Sequence, residues 1–131
     1  MVFNSLLNLG SLADAEGDHT TAAGYFRQAL RLAQDLRMTS GMAECLAGLG
    51  GAVVGQGRPG GAVRGTRLLG VAAAPLRAQW HMMTPWTHRE HEQWLAAARA
   101  ALGDAAFAAA FAAGQALPFA ETVALALAEG T

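Results

Sequence analysis

Apolar side chains in this sequence recur at intervals of three and four residues and are repeatedly cut by glycine-led breaks, a pattern that leaves little besides packed helices to fold into. From Val2 to Glu16, Leu6, Leu9, Ala13 and Ala15 keep that spacing, and Gly17-Asp18 stops it. Asp18 is placed to cap a second helix whose stripe is Ala22, Phe26, Ala29, Leu30 and Ala33. A connection this short forces the two helices to run antiparallel, as a hairpin.

A third helix is expected from Ser40 to Gly55, with Met42, Cys45, Leu46 and Leu49 inward and weakened by Gly50 and Gly51. GQGRPGG then breaks the chain, and a fourth helix should run from Ala62 to about Ala74, around Thr66, Leu68, Leu69, Val71 and Ala72, with Pro75 marking its end. Beyond the tract QWHMMTPW, Thr87 and Glu90 stand at capping-box spacing before a helix that buries His91, Trp94, Leu95, Ala98 and Leu102. Gly103-Asp104 repeats the stop-and-cap device ahead of Phe107 and Phe111, and Gly114 ends that helix. Pro118 opens a last helix carrying Phe119, Val123, Leu125 and Leu127. The expected fold is all-α: antiparallel hairpins over residues 1–79 and a helical closing unit over residues 80–131, continuous with the same core.

Charge and cysteine content narrow the function classes. Hydrophobic residues make up 53% of the chain and the formal net charge is -1, so it can bury a core and carries no global field for nucleic acid or an anionic membrane. All the basic residues are Arg, a bias expected of a GC-rich genome. Cys45 is alone and lies in an apolar helical pattern, which points to a buried small hydrophobe in a reducing cytoplasm. The Ala-rich stretch from Ala105 to Ala128 is broken by Gln115, Pro118 and Glu121 and falls short of the roughly 20 continuous apolar residues of a membrane helix.

The first hairpin repeats. Leu6, Leu9, Gly10, Ala13, Gly17, Ala22, Phe26 and Ala29 have counterparts 40 residues on in Leu46, Leu49, Gly50, Val53, Gly57, Ala62, Thr66 and Leu69. Gly10 and Ala22 allow close approach while Leu6 and Phe26 fill the space beside them. LNLGSLADAEGDHTTAAGYFRQALRLA resembles a tetratricopeptide repeat, whose usual period is 34 residues. The longer interval, with RLLGVAAAPLRAQ and the tail from His88, is similar to the C-terminal regions of LuxR-type transcriptional regulators and related multidomain signalling ATPases. Relative to that family about three residues are added between Ala62 and Arg67, which would rotate the downstream residues by roughly 300° around a helix, and Pro118 stands where a Ser or Thr cap is usual. The resemblance implies a scaffold or sensing module for signalling or transcription regulation, without its own active site or cofactor. Its partner would be another protein, the neighbouring domains of a larger regulator, or a second copy.

Helical offset from the packing stripe places Asn4, Leu7, Ser11 and Asp14 of the first helix, with Glu44, Ala47, Gly51 and Val54 of the third, along an inner groove where a partner would lie. Trp80 and Trp86 are candidate aromatic anchors. Gly55, Gly57 and Gly60 form a literal GxGxxG, but no acidic residue stands downstream at the distance a dinucleotide's ribose needs. His88, His91 and Glu92 are the best metal candidates and the basis of an alternative reading as a metal-binding protein or enzyme; the competing assignment is a surface pair of His88 with Glu92 and a seam position for His91. A third reading is a structural fragment without independent activity. Five Arg residues and no carboxylate between Cys45 and Arg89 suggest a solvated basic face.

Overall fold

The computed structural model describes residues 2–129, and these form seven α-helices in order: α1 Val2–Ala15, α2 His19–Asp35, α3 Thr39–Gly55, α4 Gly61–Gln79, α5 Pro85–Leu102, α6 Asp104–Gln115 and α7 Phe119–Glu129. A single 3₁₀ turn, Trp80–Met82, precedes α5, and no strand occurs among the described residues. The first four helices each pack on the next. α5 lies back across α3 and α4, α6 crosses α4, and α7 rests lightly on α2 and α4.

The hairpin turns are products of local chemistry. Gly17 takes φ +85°, which an L side chain rarely adopts, and the Asp18 carboxylate then accepts the backbone N–H of Thr21. Gly103, at φ +81°, ends α5 and starts α6 in one residue. Asp104 is therefore the first helical residue and not the cap expected of it; it pairs at the surface with Arg99.

The core runs through α2, α3 and α4, and its tightest seams are made by glycines. A Cβ on Gly50 would stand 2.7 Å from the carbonyl oxygen of Gly65, and one on Gly65 2.5 Å from that of Gly50, so α3 and α4 touch backbone to backbone. Gly70 of α4 and Gly114 of α6 make a second such seam, against Phe111 and Arg67. Gly48 lies under the ring of Phe26 and Gly51 under that of Trp94. The glycines expected to weaken α3 are thus its contact surface: their cost in helix propensity, about 1 kcal/mol each, is offset by closer packing on both sides of the helix.

Several expectations are corrected by the packing. In α1 the buried residues are Phe3, Gly10 and Ala13, with Leu6 and Leu7 half-buried, while Leu9 and Ala15 are exposed. Pro75 does not end α4; the helix runs on to Gln79, because Leu76 is buried in the next turn and the Gln79 amide donates to the carbonyl of Ser40. α4 begins at Gly61, and Gly65 sits in the seam. The cap of α5 is Thr84, whose hydroxyl accepts the N–H of Thr87, with Pro85 in the first turn. Thr87 and Glu90 therefore lie inside the helix and form no capping box. In α7, Val123, Ala126 and Leu127 are buried and Leu125 is exposed.

Candidate functional site

Across the face of α1 and α3 where a groove is expected lies the chain's own α5. Trp94 anchors that helix. Its indole rests over Gly51, meets Phe26 edge-on at 5.9 Å between ring centres, and donates Nε1–H to Asp14 Oδ2 at 2.9 Å. The other oxygen of Asp14 is bound to Nδ1 of His19 at 2.7 Å. Asp14 faces the groove, but both its oxygens are committed and it joins α1, α2 and α5 rather than awaiting a partner.

Beside Trp94 a cavity of about 90 Å³ remains between α1, α3 and α5. Leu7 and Ser11 line it from α1, Glu44 and Ala47 from α3, and Trp86, Glu90 and His91 from α5. Five groove and anchor candidates, Leu7, Ser11, Glu44, Ala47 and Trp86, are thus brought together. Asn4 is exposed, and neither it nor Trp80 lines the cavity; Trp80 stacks flat on His88 at 4.1 Å and meets the His91 ring edge-on at 5.4 Å. Trp86 is 60% exposed and stands at the cavity's mouth.

The electrostatics of this cavity are one-sided. Glu44 and Glu90 are half-buried, and no Arg lines the wall. Loss of solvent pushes both carboxyls above the usual carboxylate range. A hydrogen bond from Ser11 pulls Glu90 back in part, and repulsion from Asp14 and Glu44 raises it again. His91 is only 8% exposed, its Nδ1 has no hydrogen-bond partner among the described residues, and burial holds its ring below the ordinary histidine value. Sequence reasoning misses the relation of Glu90 to Glu44, because capping-box spacing assigns Glu90 to a helix start.

The remaining candidates disperse. His88 places Nε2 2.7 Å from the carbonyl oxygen of Trp80. Among the described residues no group of three or more His, Cys, Asp or Glu side chains is placed to hold a metal ion. Gly55, Gly57 and Gly60 belong to the end of α3 and the turn to α4, not to a strand-to-helix turn. Cys45 is fully buried, and loss of solvent raises its thiol further from ionisation. Arg58, Arg64 and Arg67 line a second cavity, of about 710 Å³, with Arg27 and Glu121 between α2, α4 and α7. No single described helix is long and apolar enough to cross a membrane; α6 and α7 pass that test only together, and they bend by 106° at their junction.

Fold and site together define an all-α helical stack whose inner groove is closed by its own fifth helix. No family model, curated protein or solved structure matches the chain.

Proposed function

We propose that this chain is a tetratricopeptide-like interaction module, a scaffold that takes part in signalling or transcription regulation in the cytoplasm by contacting another protein surface or neighbouring helices of a larger regulator. One observation carries the reading. On α1, the first helix of the stack, Val2, Leu9 and Leu12 are 68%, 43% and 58% exposed and share one face by helical spacing. Each hairpin of a stacked-repeat protein leaves an apolar edge for the next, and this edge is uncovered. A covering helix would bury the stripe as α3 buries the inner face of α2.

The experiment compares wild type with Leu9→Lys combined with Leu12→Lys, both at exposed positions that leave the core intact. Affinity capture followed by sedimentation of the recovered complex should show a stoichiometric partner, or self-association, that the double variant loses. Identical behaviour of both proteins would refute the stripe as the contact surface. The alternative metal-centred reading finds no third donor beside His88 and His91 among the described residues, and no observation favours it.

A further inference from the structure

The larger cavity, of about 710 Å³, has a composition that neither the helical stack nor the α1 stripe accounts for. Much of its lining is aliphatic: Leu49 and Val53 of α3, both buried, and Leu68 of α4, partly buried. α7 adds Leu125 and Ala126, and the turn before it adds Leu117. Leu117 and Leu125 are 45% and 62% exposed, so two of the large apolar side chains that the fold leaves in solvent belong to this one lining. Among the described residues that line the cavity, four are arginines: Arg27 of α2, Arg58 of the α3–α4 turn, and Arg64 and Arg67 of α4. One is acidic, Glu121, and none is aromatic. Arg64 and Arg67 are one turn apart on the same helix, where like charges repel. Among the described residues no carboxylate forms an ion pair with Arg58, Arg64 or Arg67.

We propose that this cavity binds a small amphiphilic anion, an acidic head on an aliphatic tail, with the tail on the leucine and valine surface and the head among the arginines of α4 and the α3–α4 turn. Three features select this chemistry. The volume lies within the range of small-molecule sites, about 300–1,000 Å³, and is far above what one inorganic anion fills. Four guanidinium groups against one carboxylate leave the lining positive. Such a field attracts an anionic head without requiring every arginine to meet at one point, and each guanidinium fork can pair with a carboxylate or a phosphate. The lack of an aromatic ring leaves a nucleobase nothing to stack on, whereas an aliphatic chain needs only the apolar surface that is present. A bare anion would leave Leu117 and Leu125 in water, and an uncharged lipid would leave Arg64 and Arg67 repelling each other.

The probe is octanoate, titrated by calorimetry below its micellar range, with 1-octanol as the uncharged analogue and acetate as the head alone. Octanoate should saturate at one equivalent and bind about tenfold more tightly than octanol, the value of two or more partly screened guanidinium contacts. Acetate should not saturate. Shortening the chain should weaken binding by up to about fourfold for each methylene removed, and added salt should weaken octanoate but not octanol. Arg64→Gln combined with Arg67→Gln, both at exposed positions, should abolish the tenfold preference for the acid. Arg89→Gln, on α5 and outside the cavity, should leave it unchanged. Octyl phosphate in place of octanoate tells which acidic head is preferred. Amide shifts on titration should fall on α4 and α7. The proposal is overturned if octanoate does not saturate, if octanol binds as tightly, if the shifts fall on other helices, or if the double variant binds like wild type. Protein that sediments with phosphatidylglycerol vesicles while monomeric octanoate fails to bind would likewise overturn it, in favour of a membrane surface. Octanoate against octanol needs no variant, so that comparison decides the matter even where the double variant fails to fold. Among the described residues none from α1 lines this cavity, so binding here and capture at the Leu9 and Leu12 stripe stand or fall separately.

Discussion

Gly51→Ala tests whether α5 is held in the groove as described. The new methyl would fall on the indole of Trp94, which cannot step aside freely: Phe26 meets it edge-on and its N–H is bound to Asp14. Keeping the ring in place costs about 1–3 kcal/mol in overpacking; moving it forfeits a hydrogen bond to a carboxylate, about 1.5–3 kcal/mol. Against this stands a gain of about 1 kcal/mol from alanine's better helix propensity. The expected net loss is about 1–2 kcal/mol. In a Trp94→Ala background the clash is gone and only the propensity remains, so the same substitution should stabilise by up to about 1 kcal/mol. The sign reversal amounts to a coupling of about 2–3 kcal/mol, large for a double-mutant cycle and expected only of residues in contact. Urea denaturation of the four proteins measures it, and amide exchange along α5 shows whether the loss is local. Gly51→Ala as stable as wild type, or equally costly with and without Trp94, would refute the docking of α5 on α3.

Three further outcomes are expected. Thr84→Ala should cost about 1 kcal/mol in thermal or urea melts by removing the cap of α5, whereas Thr87→Ala should cost clearly less; the reverse order would restore the capping box at Thr87. Phe26→Ala, at a fully buried ring beneath which Gly10 and Gly48 pass, should cost about 3–5 kcal/mol, and a loss under about 1 kcal/mol would show the ring is not enclosed. Because Glu44 and Glu90 have raised values when folded, the folded state holds more protons than the unfolded one above the ordinary carboxylate value, about 4.3. Their effect is therefore a loss of stability as pH rises through that value towards the raised ones. His91, held low, acts in the opposite sense and loses stability as pH falls below about 6.5. Melting curves from pH 4 to 7 (about the span of these values) should show Glu44→Gln gaining on wild type with rising pH, and parallel curves would contradict the burial of the acid.

What could be read in the sequence was decided by range. Stripes within one helix, such as Ala22, Phe26, Ala29, Leu30 and Ala33, are set by a local period and by Asp18, and all of them are buried. The edge helices were less legible. Leu9 and Leu125 satisfy a helical period yet face outward, since periodicity places residues on a common face without saying which face has a neighbour. Pro75 reads as a stop because proline removes a hydrogen bond, and the compensation comes from Leu76 and from Ser40 on another helix. Glu90 was hidden by a competing local rule: Thr87-x-x-Glu90 has capping-box spacing, but Thr84 with Pro85 after it takes the cap and turns Glu90 toward the cavity. The bond from Trp94 to Asp14 spans 80 residues, and no local pattern announces it.

The glycine seams constrain how this sequence can change. Gly50, Gly51, Gly65, Gly70 and Gly114 each meet a neighbouring helix where a methyl would stand, yet in the genetic code every glycine codon is one base from an alanine codon. In most helices that exchange is welcome, as it would be at Gly24. At the seams it is costly, so these glycines act as fixed pegs. A library in which every glycine is allowed to become alanine should, after selection for folding, keep these pegs and surrender Gly24, around which a methyl would find open space.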